Sequence, residues 1–196
     1  MKRQISFGQY RAIDLGLMTG LMVLSQVVIH FAVNFWRADQ TGFIVSPVGA
    51  MVAIVMMRWG LWSAIPAVLG GVVFTLQFGG DGQQLLIYSA GNLLSLLALL
   101  LFVKPGKEKI RGNAILSLAF AVSVQLLMQL GRAGVAALLG ASLPACWDFI
   151  TTDSLSILFS MVIIWVSRRV EGLFEDQKQY LLRVQQEQSV KGGEQL

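Results

Sequence analysis

An arginine stands inside an otherwise apolar run from Ala114 to Leu139. About 20 apolar residues cross the hydrocarbon of a bilayer, so a run of this length reads as a membrane-crossing helix. Charge within such a helix is costly unless it meets a partner, a ligand or water. The polar residues of the run, Gln125, Gln129 and Arg132, fall at i, i+4 and i+7, which is one helix face. That face must look inward, at something polar. The next apolar run supplies candidates near its start, Asp148 and Asp153. These two runs are expected to wall a small-molecule site.

Composition agrees with a lipid-facing exterior. Of 196 residues, 55% are hydrophobic and 13% charged, where soluble domains carry about 25% charged residues. The mean hydropathy is +0.66. The expected fold is an all-α integral membrane protein: a compact bundle of six transmembrane helices over residues 1–170, both termini cytoplasmic. A cytoplasmic amphipathic helix and disordered tail follow over residues 171–196. Cys146 is the single cysteine, which excludes an intrachain disulfide and a cysteine metal cluster. Residues Met1 to Arg11 are polar and show no cleavage pattern, so they read as a retained cytoplasmic tail.

The spans are expected near residues 13–36, 43–57, 61–78, 83–103, 113–139 and 146–167. In the first, Ala12, Gly16 and Gly20 form a small-xxx-small stripe that lets another helix approach closely. Asp14 reads as interfacial or as a partner of Arg11, and His30, with no companion ligand, as a packing residue. Pro47 and Gly49 interrupt the second span, and Arg58-Trp59-Gly60 makes a tight turn into the third. The third holds the pair Gly70-Gly71, a mark of close packing or a kink. Gly79-Gly80-Asp81-Gly82 lacks the strand and helix that a phosphate cradle requires. In the fourth, Gln84, Tyr88 and Asn92 share one face. The fifth is expected to break near Gly131 or Gly134. After Arg168-Arg169, an apolar stripe of Val170, Leu173, Phe174, Leu181 and Val184 reads as an amphipathic helix on the membrane or on a partner. Residues from Ser189 onward read as disordered.

Thirteen of the fifteen basic residues fall in the N-terminal tail, the turn at Arg58, the loop from Lys104 to Arg111 and the segment after Ser167. The opposite loops hold only Arg37, and Arg132 lies within a span. The positive-inside rule then puts both termini in the cytoplasm. It also accounts for a pI near 9.5 without nucleic acid. Counted along their helices, Arg132 and Asp153 both lie about 10 Å below the outer surface. Tyr88 lies about 8 Å down, and Asn92 and Gln129 about 14–15 Å. The polar groups therefore concentrate in the outer half of the bundle. This predicts a cavity open to the outside and closed below, since a channel needs polar lining throughout.

A basic-ended bundle of this length, with polar residues in the outer parts of helices four to six, resembles the S components of energy-coupling factor transporters. These are the substrate-capturing membrane subunits of bacterial vitamin-uptake systems. The resemblance covers roughly residues 5–170. It implies a substrate-binding set of Tyr88, Asn92, Gln125, Gln129, Arg132, Asp148, Thr152 and Asp153. It also implies a coupling subunit docked on Ala12, Gly16 and Gly20, two ATPase subunits, and a location in the bacterial cytoplasmic membrane. In this reading Arg132 meets an acidic group of the substrate, and Asp148 or Asp153 a basic one. No cofactor and no metal is implied.

Two rival readings differ in class. A six-span scaffold similar to the rod-shape-determining membrane protein has a similar size, but it has no need of an outer Arg/Asp/Gln cluster. A membrane enzyme has little to work with: one histidine, one cysteine, and serines without an adjacent base. The chain is therefore read as a non-enzyme.

Overall fold

The computed structural model describes residues 6–36 and 45–193. The expectations placed on Lys2, Arg3, Arg37 and the loop to Gly42 lie outside the described residues. Every regular element among the described residues is helical. They are α1 (Phe7–Trp36), α2 (Val48–Trp59), α3 (Ala64–Gln77), α4 (Gly82–Asn92), α5 (Ala98–Leu101), α6 (Gly106–Gly112), α7 (Ala114–Leu138), α8 (Leu143–Thr151), α9 (Ser154–Ser167) and α10 (Gln177–Gly193). Short 3₁₀ turns join α2 to α3 (Gly60–Ser63) and α4 to α5 (Leu93–Leu97).

Five helical runs are long and apolar enough to cross a membrane: Phe7–Phe35, Val48–Gln77, Gly82–Leu101, Ala114–Leu138 and Leu143–Ser167. The second of these reverses direction. Gly60 has φ +61°, a left-handed conformation that a side chain disfavours. Beyond it α3 runs back along α2, and a Cβ added at Gly70 would stand 2.5 Å from Val48 Cγ1. In a straight helix these two residues would be about 33 Å apart.

Helix α2 is the axis of the bundle. All twelve of its residues are buried, among α1, α3, α7 and α9. Its methionines, Met51, Met56 and Met57, join Met22 and Met128 in the core, where flexible thioethers fill the gaps between helices. The exterior is the reverse of a soluble protein's: Leu17 and Leu21 on α1, Leu100 and Leu101 on α5, and Leu158 and Val162 on α9 are exposed. An apolar coat on apolar helices fits a membrane location.

The basic residues gather at one end and are tied together there. Arg58, at the end of α2, donates from Nε to Asp14 Oδ2 (2.9 Å) and from Nη2 to Asp14 Oδ1 (2.5 Å). Trp59 Nε1 also donates to Asp14 Oδ2. Arg58 Nη1 donates to the carbonyls of Gly172 and Leu173. Asp14 is thus a partner of Arg58, not of Arg11, whose guanidinium lies 4.3 Å from the Trp62 ring centroid. Phe174 is fully buried against Phe120, and Tyr10 donates to Gln177 Oε1 at 3.0 Å. The apolar stripe after Arg169 is therefore divided: Phe174 is core, while Val170 is exposed.

Several boundaries differ from those read in the sequence. Helix α7 runs unbroken past Gly131 and Gly134. The apolar run after Leu139 forms two helices, α8 and α9, that part at Thr152 and Asp153. Residues 106–112 of the basic loop are helical, and α10 continues to Gly193, into the stretch that reads as disordered.

Candidate functional site

Glycines set the spacing of the helices that carry the polar residues. A Cβ at Gly131 on α7 would stand 2.0 Å from the Gly91 carbonyl oxygen, and one at Gly91 would stand 2.6 Å from Arg132 N. Helices α4 and α7 thus touch backbone to backbone, which sets Asn92 beside Arg132. Gly71 does the same between α3 and the backbone of Tyr88, with a Cβ distance of 2.5 Å. Gly49 leaves the space that the Gln125 amide fills, since a Cβ there would come within 1.7 Å of Gln125 Oε1.

Into this frame project Asn92, Gln125, Gln129, Arg132 and Asp153, each at most 5% exposed. Arg132 Nη1 pairs with Asp153 Oδ2 at 2.7 Å. Arg132 Nε donates to Asn92 Oδ1 at 2.8 Å, and Asn92 Nδ2 donates to the Ala67 carbonyl at 2.9 Å. Gln125 Nε2 donates to Asp153 Oδ2 at 3.0 Å, and Gln129 Nε2 to the Asp153 carbonyl at 3.1 Å. The Arg132 guanidinium lies 4.9 Å from the Tyr88 ring centroid, within cation–π range. Tyr88 in turn packs on Phe74 and Phe149. Both helix irregularities of this half of the molecule adjoin the cluster. The 3₁₀ turn begins directly after Asn92, and α9 begins directly after Asp153. Asp153 stands at the N-cap of α9 yet makes no cap bond; its carboxylate goes to Arg132 and Gln125 instead.

The cluster is short of donors. Asp153 Oδ1, Gln125 Oε1 and Gln129 Oε1 are buried acceptors with no hydrogen-bond partner, and the Ser160 hydroxyl on α9 also has none. Each buried polar group without a partner costs about 1–3 kcal/mol. Arg132, by contrast, is engaged by a carboxylate, an amide oxygen and an aromatic face. The arrangement can accept hydrogen bonds from a ligand, from N–H, O–H or ammonium groups, more readily than it can bind an anion.

Two residues of the expected set stand apart. Asp148 is exposed on α8. Thr152 is half-buried and donates back to the Asp148 carbonyl at 2.6 Å. Gln26 and Ser46 join the polar core without having been singled out, and Ser46 meets Ser156, which depth along the helix also places in the outer half. Ser46 N donates to Ser156 Oγ at 2.8 Å, and Ser46 Oγ to Gln26 Oε1 at 2.9 Å. Asp153, Ser156 and Ser160 recur at spacings of three and four, so the polar face of α9 carried a readable signal. Gln26 and Ser46 lie on separate segments and carried none. His30 Nε2 accepts from Asn34 Nδ2 at 3.0 Å, and the ring packs edge-on against Phe78. No group of three or more His, Cys, Asp or Glu side chains placed to hold a metal occurs among the described residues.

Ala12, Gly16 and Gly20 line an apolar groove of about 770 Å³ between α1 and α3, together with Gly8, Trp62 and Leu69. A Cβ added at Gly8, Gly16 or Gly20 would meet nothing within 4 Å. Packing within the chain therefore does not require these glycines. Compared with known proteins, the chain matches no family model, and no curated protein or solved structure is significantly similar to it.

Proposed function

We propose that this chain is the substrate-capturing subunit of an energy-coupling factor type of uptake transporter, set in the cytoplasmic membrane of a bacterium. With α2 and α3 counted separately, the bundle crosses the membrane six times, both termini cytoplasmic. The gathering of Arg58, Lys107, Arg111 and Arg168 at the end that holds the start of α1 supports this orientation.

One observation carries the functional reading: the buried Arg132–Asp153 cluster with four polar groups left unpartnered. A purely structural need would be met as well or better by apolar packing. A site that waits for a ligand keeps unmet hydrogen-bonding capacity. The substrate is a small polar molecule rich in donors, of the vitamin or vitamin-precursor kind. Asp153, Gln125 and Gln129 accept its N–H or O–H groups, and Tyr88 offers a ring face. Asn92 holds Arg132, and Arg132 holds Asp153 in place, a different role from meeting an acidic group.

The sequence has no phosphate-loop motif, so energy comes from partner subunits: two ATPases and a transmembrane coupling subunit. The open groove along Gly8, Ala12, Gly16 and Gly20 offers that coupling subunit a close helix contact. The chain itself catalyses no reaction in this reading.

Native mass spectrometry of the protein purified from its host in mild detergent tests the reading. A small molecule should accompany the wild type, identify the substrate by its mass, and be lost from Arg132→Ala and Asp153→Asn. A wild type that carries no ligand, and gains no thermal stability from a panel of vitamins and precursors, would overturn it in favour of a structural scaffold.

A further inference from the structure

The basic end of the bundle holds a polar concavity. Its volume is about 490 Å³, and it lies where α6, the end of α9 and the start of α10 meet. Four cations line it: Lys107, Arg111, Arg168 and Arg183. Three have partners. Lys107 Nζ pairs with Asp176 Oδ2 at 2.7 Å. Arg111 pairs with Glu175, and Arg183 reaches the same carboxylate at 3.3 Å and Glu171 at 3.6 Å. One carboxylate thus serves two guanidinium groups.

Arg168 differs from the other three. Among the described residues its side chain has no ion pair and no hydrogen bond, and its Nε is buried without an acceptor. Glu108 also lines the cavity but is exposed and makes no bond to it. A guanidinium cannot shed its proton, so an unpaired buried N–H of Arg168 calls for an anionic acceptor. Arg169, next in sequence, is exposed and lies 4.0 Å from the Trp165 ring centroid. A tryptophan beside an arginine at the end of an apolar helix marks the level of the membrane–water interface.

We propose that this cavity binds a phosphate group, with Arg168 as its principal donor and Lys107 beside it. A guanidinium matches phosphate oxygens with two parallel N–H bonds. Basic pockets between helices at the cytoplasmic surface are suited to lipid phosphates. The position of Arg168 next to Arg169, which stacks on the interfacial Trp165, favours the phosphodiester of an anionic phospholipid over a soluble phosphate. That choice of source rests on the membrane reading, whereas the phosphate site rests on the cavity and its unpaired arginine.

The test uses the full chain in mild detergent, by native mass spectrometry and thermal shift. The probes are dioleoyl phosphatidylglycerol, dioleoyl phosphatidylcholine and inorganic phosphate. Arg168→Gln and Arg169→Gln each remove one charge from the same end, but only the first touches the cavity. Wild type and Arg169→Gln should retain phosphatidylglycerol, and Arg168→Gln should bind it about tenfold more weakly. Phosphatidylcholine should be retained by none. Stabilisation by inorganic phosphate that depends on Arg168, without lipid retention, would support the phosphate site and assign it to a soluble ligand. Equal losses in the two arginine variants would overturn the proposal. So would a wild type that holds phosphatidylglycerol no better than phosphatidylcholine and gains nothing from phosphate. Asp153→Asn lowers the baseline stability but should change neither the retention of phosphatidylglycerol nor the shift gained on adding phosphate, which separates this site from the outer cluster.

Discussion

Two buried arginine–aspartate pairs hold the bundle at its two ends, and they are finished differently. At the basic end both Asp14 oxygens accept hydrogen bonds, from Arg58 and from Trp59 Nε1. The remaining Arg58 donor closes on the Gly172 and Leu173 carbonyls. At the other end Asp153 receives Arg132 and Gln125 on Oδ2 and nothing on Oδ1. Both pairs carry the desolvation cost of buried charge. Only the first recovers what hydrogen bonding can return. A closed pair that joins α1, α2 and the segment after α9 behaves as a structural clamp. An open pair surrounded by unused acceptors is the feature on which the proposed receptor role rests.

The largest effect is expected from breaking the closed pair. Arg58→Leu takes the guanidinium from the Asp14 carboxylate and strands the Leu173 carbonyl, while the Gly172 carbonyl keeps the donation from Gln177 Nε2 at 2.8 Å, and losing one partner of a buried pair costs about 3–5 kcal/mol. Thermal unfolding in detergent should show a correspondingly large drop. Limited proteolysis should also show cleavage near Glu171 that the wild type resists. Unchanged stability and unchanged cleavage would remove the clamp from the account.

Next in size is the spacing that builds the open pair. Gly131→Leu places carbon where the Gly91 carbonyl stands, since even a Cβ would lie 2.0 Å from that oxygen. Helices α4 and α7 must part, at about 1–3 kcal/mol, and Asn92 then leaves Arg132. Gly134→Leu is the control, because a Cβ there meets nothing within 4 Å. Thermal shift should separate the two variants. Equal behaviour would mean that the backbone contact does not position the cluster.

Much of this contrast was legible in the sequence, and the limits have physical causes. The i, i+4, i+7 face of Gln125, Gln129 and Arg132 follows from helix periodicity alone. The pairing of Arg132 with Asp153 follows from equal depth in neighbouring helices. Local pattern suffices for both. The partner of Asp14 was not legible, because Arg58 is 44 residues away and reads as an ordinary turn cation. The same holds for Phe174: one phenylalanine in an amphipathic stripe does not reveal that it is buried against Phe120 while Val170 stays outside. The turn at Arg58-Trp59-Gly60 was readable, yet the complete burial of α2 was not. An apolar helix in lipid and one among other helices have the same composition. The break at Asp153 was missed because the apolar run continues through it. The carboxylate that would ordinarily cap α9 is taken by Arg132.

Replacing both members of each pair by apolar residues sharpens the comparison. Arg132→Met with Asp153→Leu removes the charges together with the unpaired Oδ1, and leaves Asn92 Oδ1 and Gln125 Nε2 without their partners. Such exchanges are often neutral or stabilising by about 1–4 kcal/mol. Asp14→Leu with Arg58→Met still strands Trp59 Nε1 and the Leu173 carbonyl, so it should remain destabilising. The outer double variant should therefore lose less thermal stability than the inner one while losing any ligand seen by native mass spectrometry. An outer double variant as unstable as the inner one would make both pairs structural.

The smallest expected change in stability is at Gln129, and it is the most diagnostic. Gln129→Met keeps the volume of the side chain, deletes the unpartnered Oε1 and gives up one donation to the Asp153 carbonyl. That carbonyl keeps the hydrogen bond from Ser156 N at 3.1 Å. Removing a buried acceptor without a donor offsets the lost bond, so stability should stay within about 1 kcal/mol of the wild type. Ligand affinity should fall about tenfold, the worth of one hydrogen bond to a buried partner. Isothermal titration with the ligand identified by mass, beside a thermal unfolding curve, reads both quantities. A loss of affinity without a loss of stability separates a receptor from a scaffold, because a residue that serves only helix packing would move the two together.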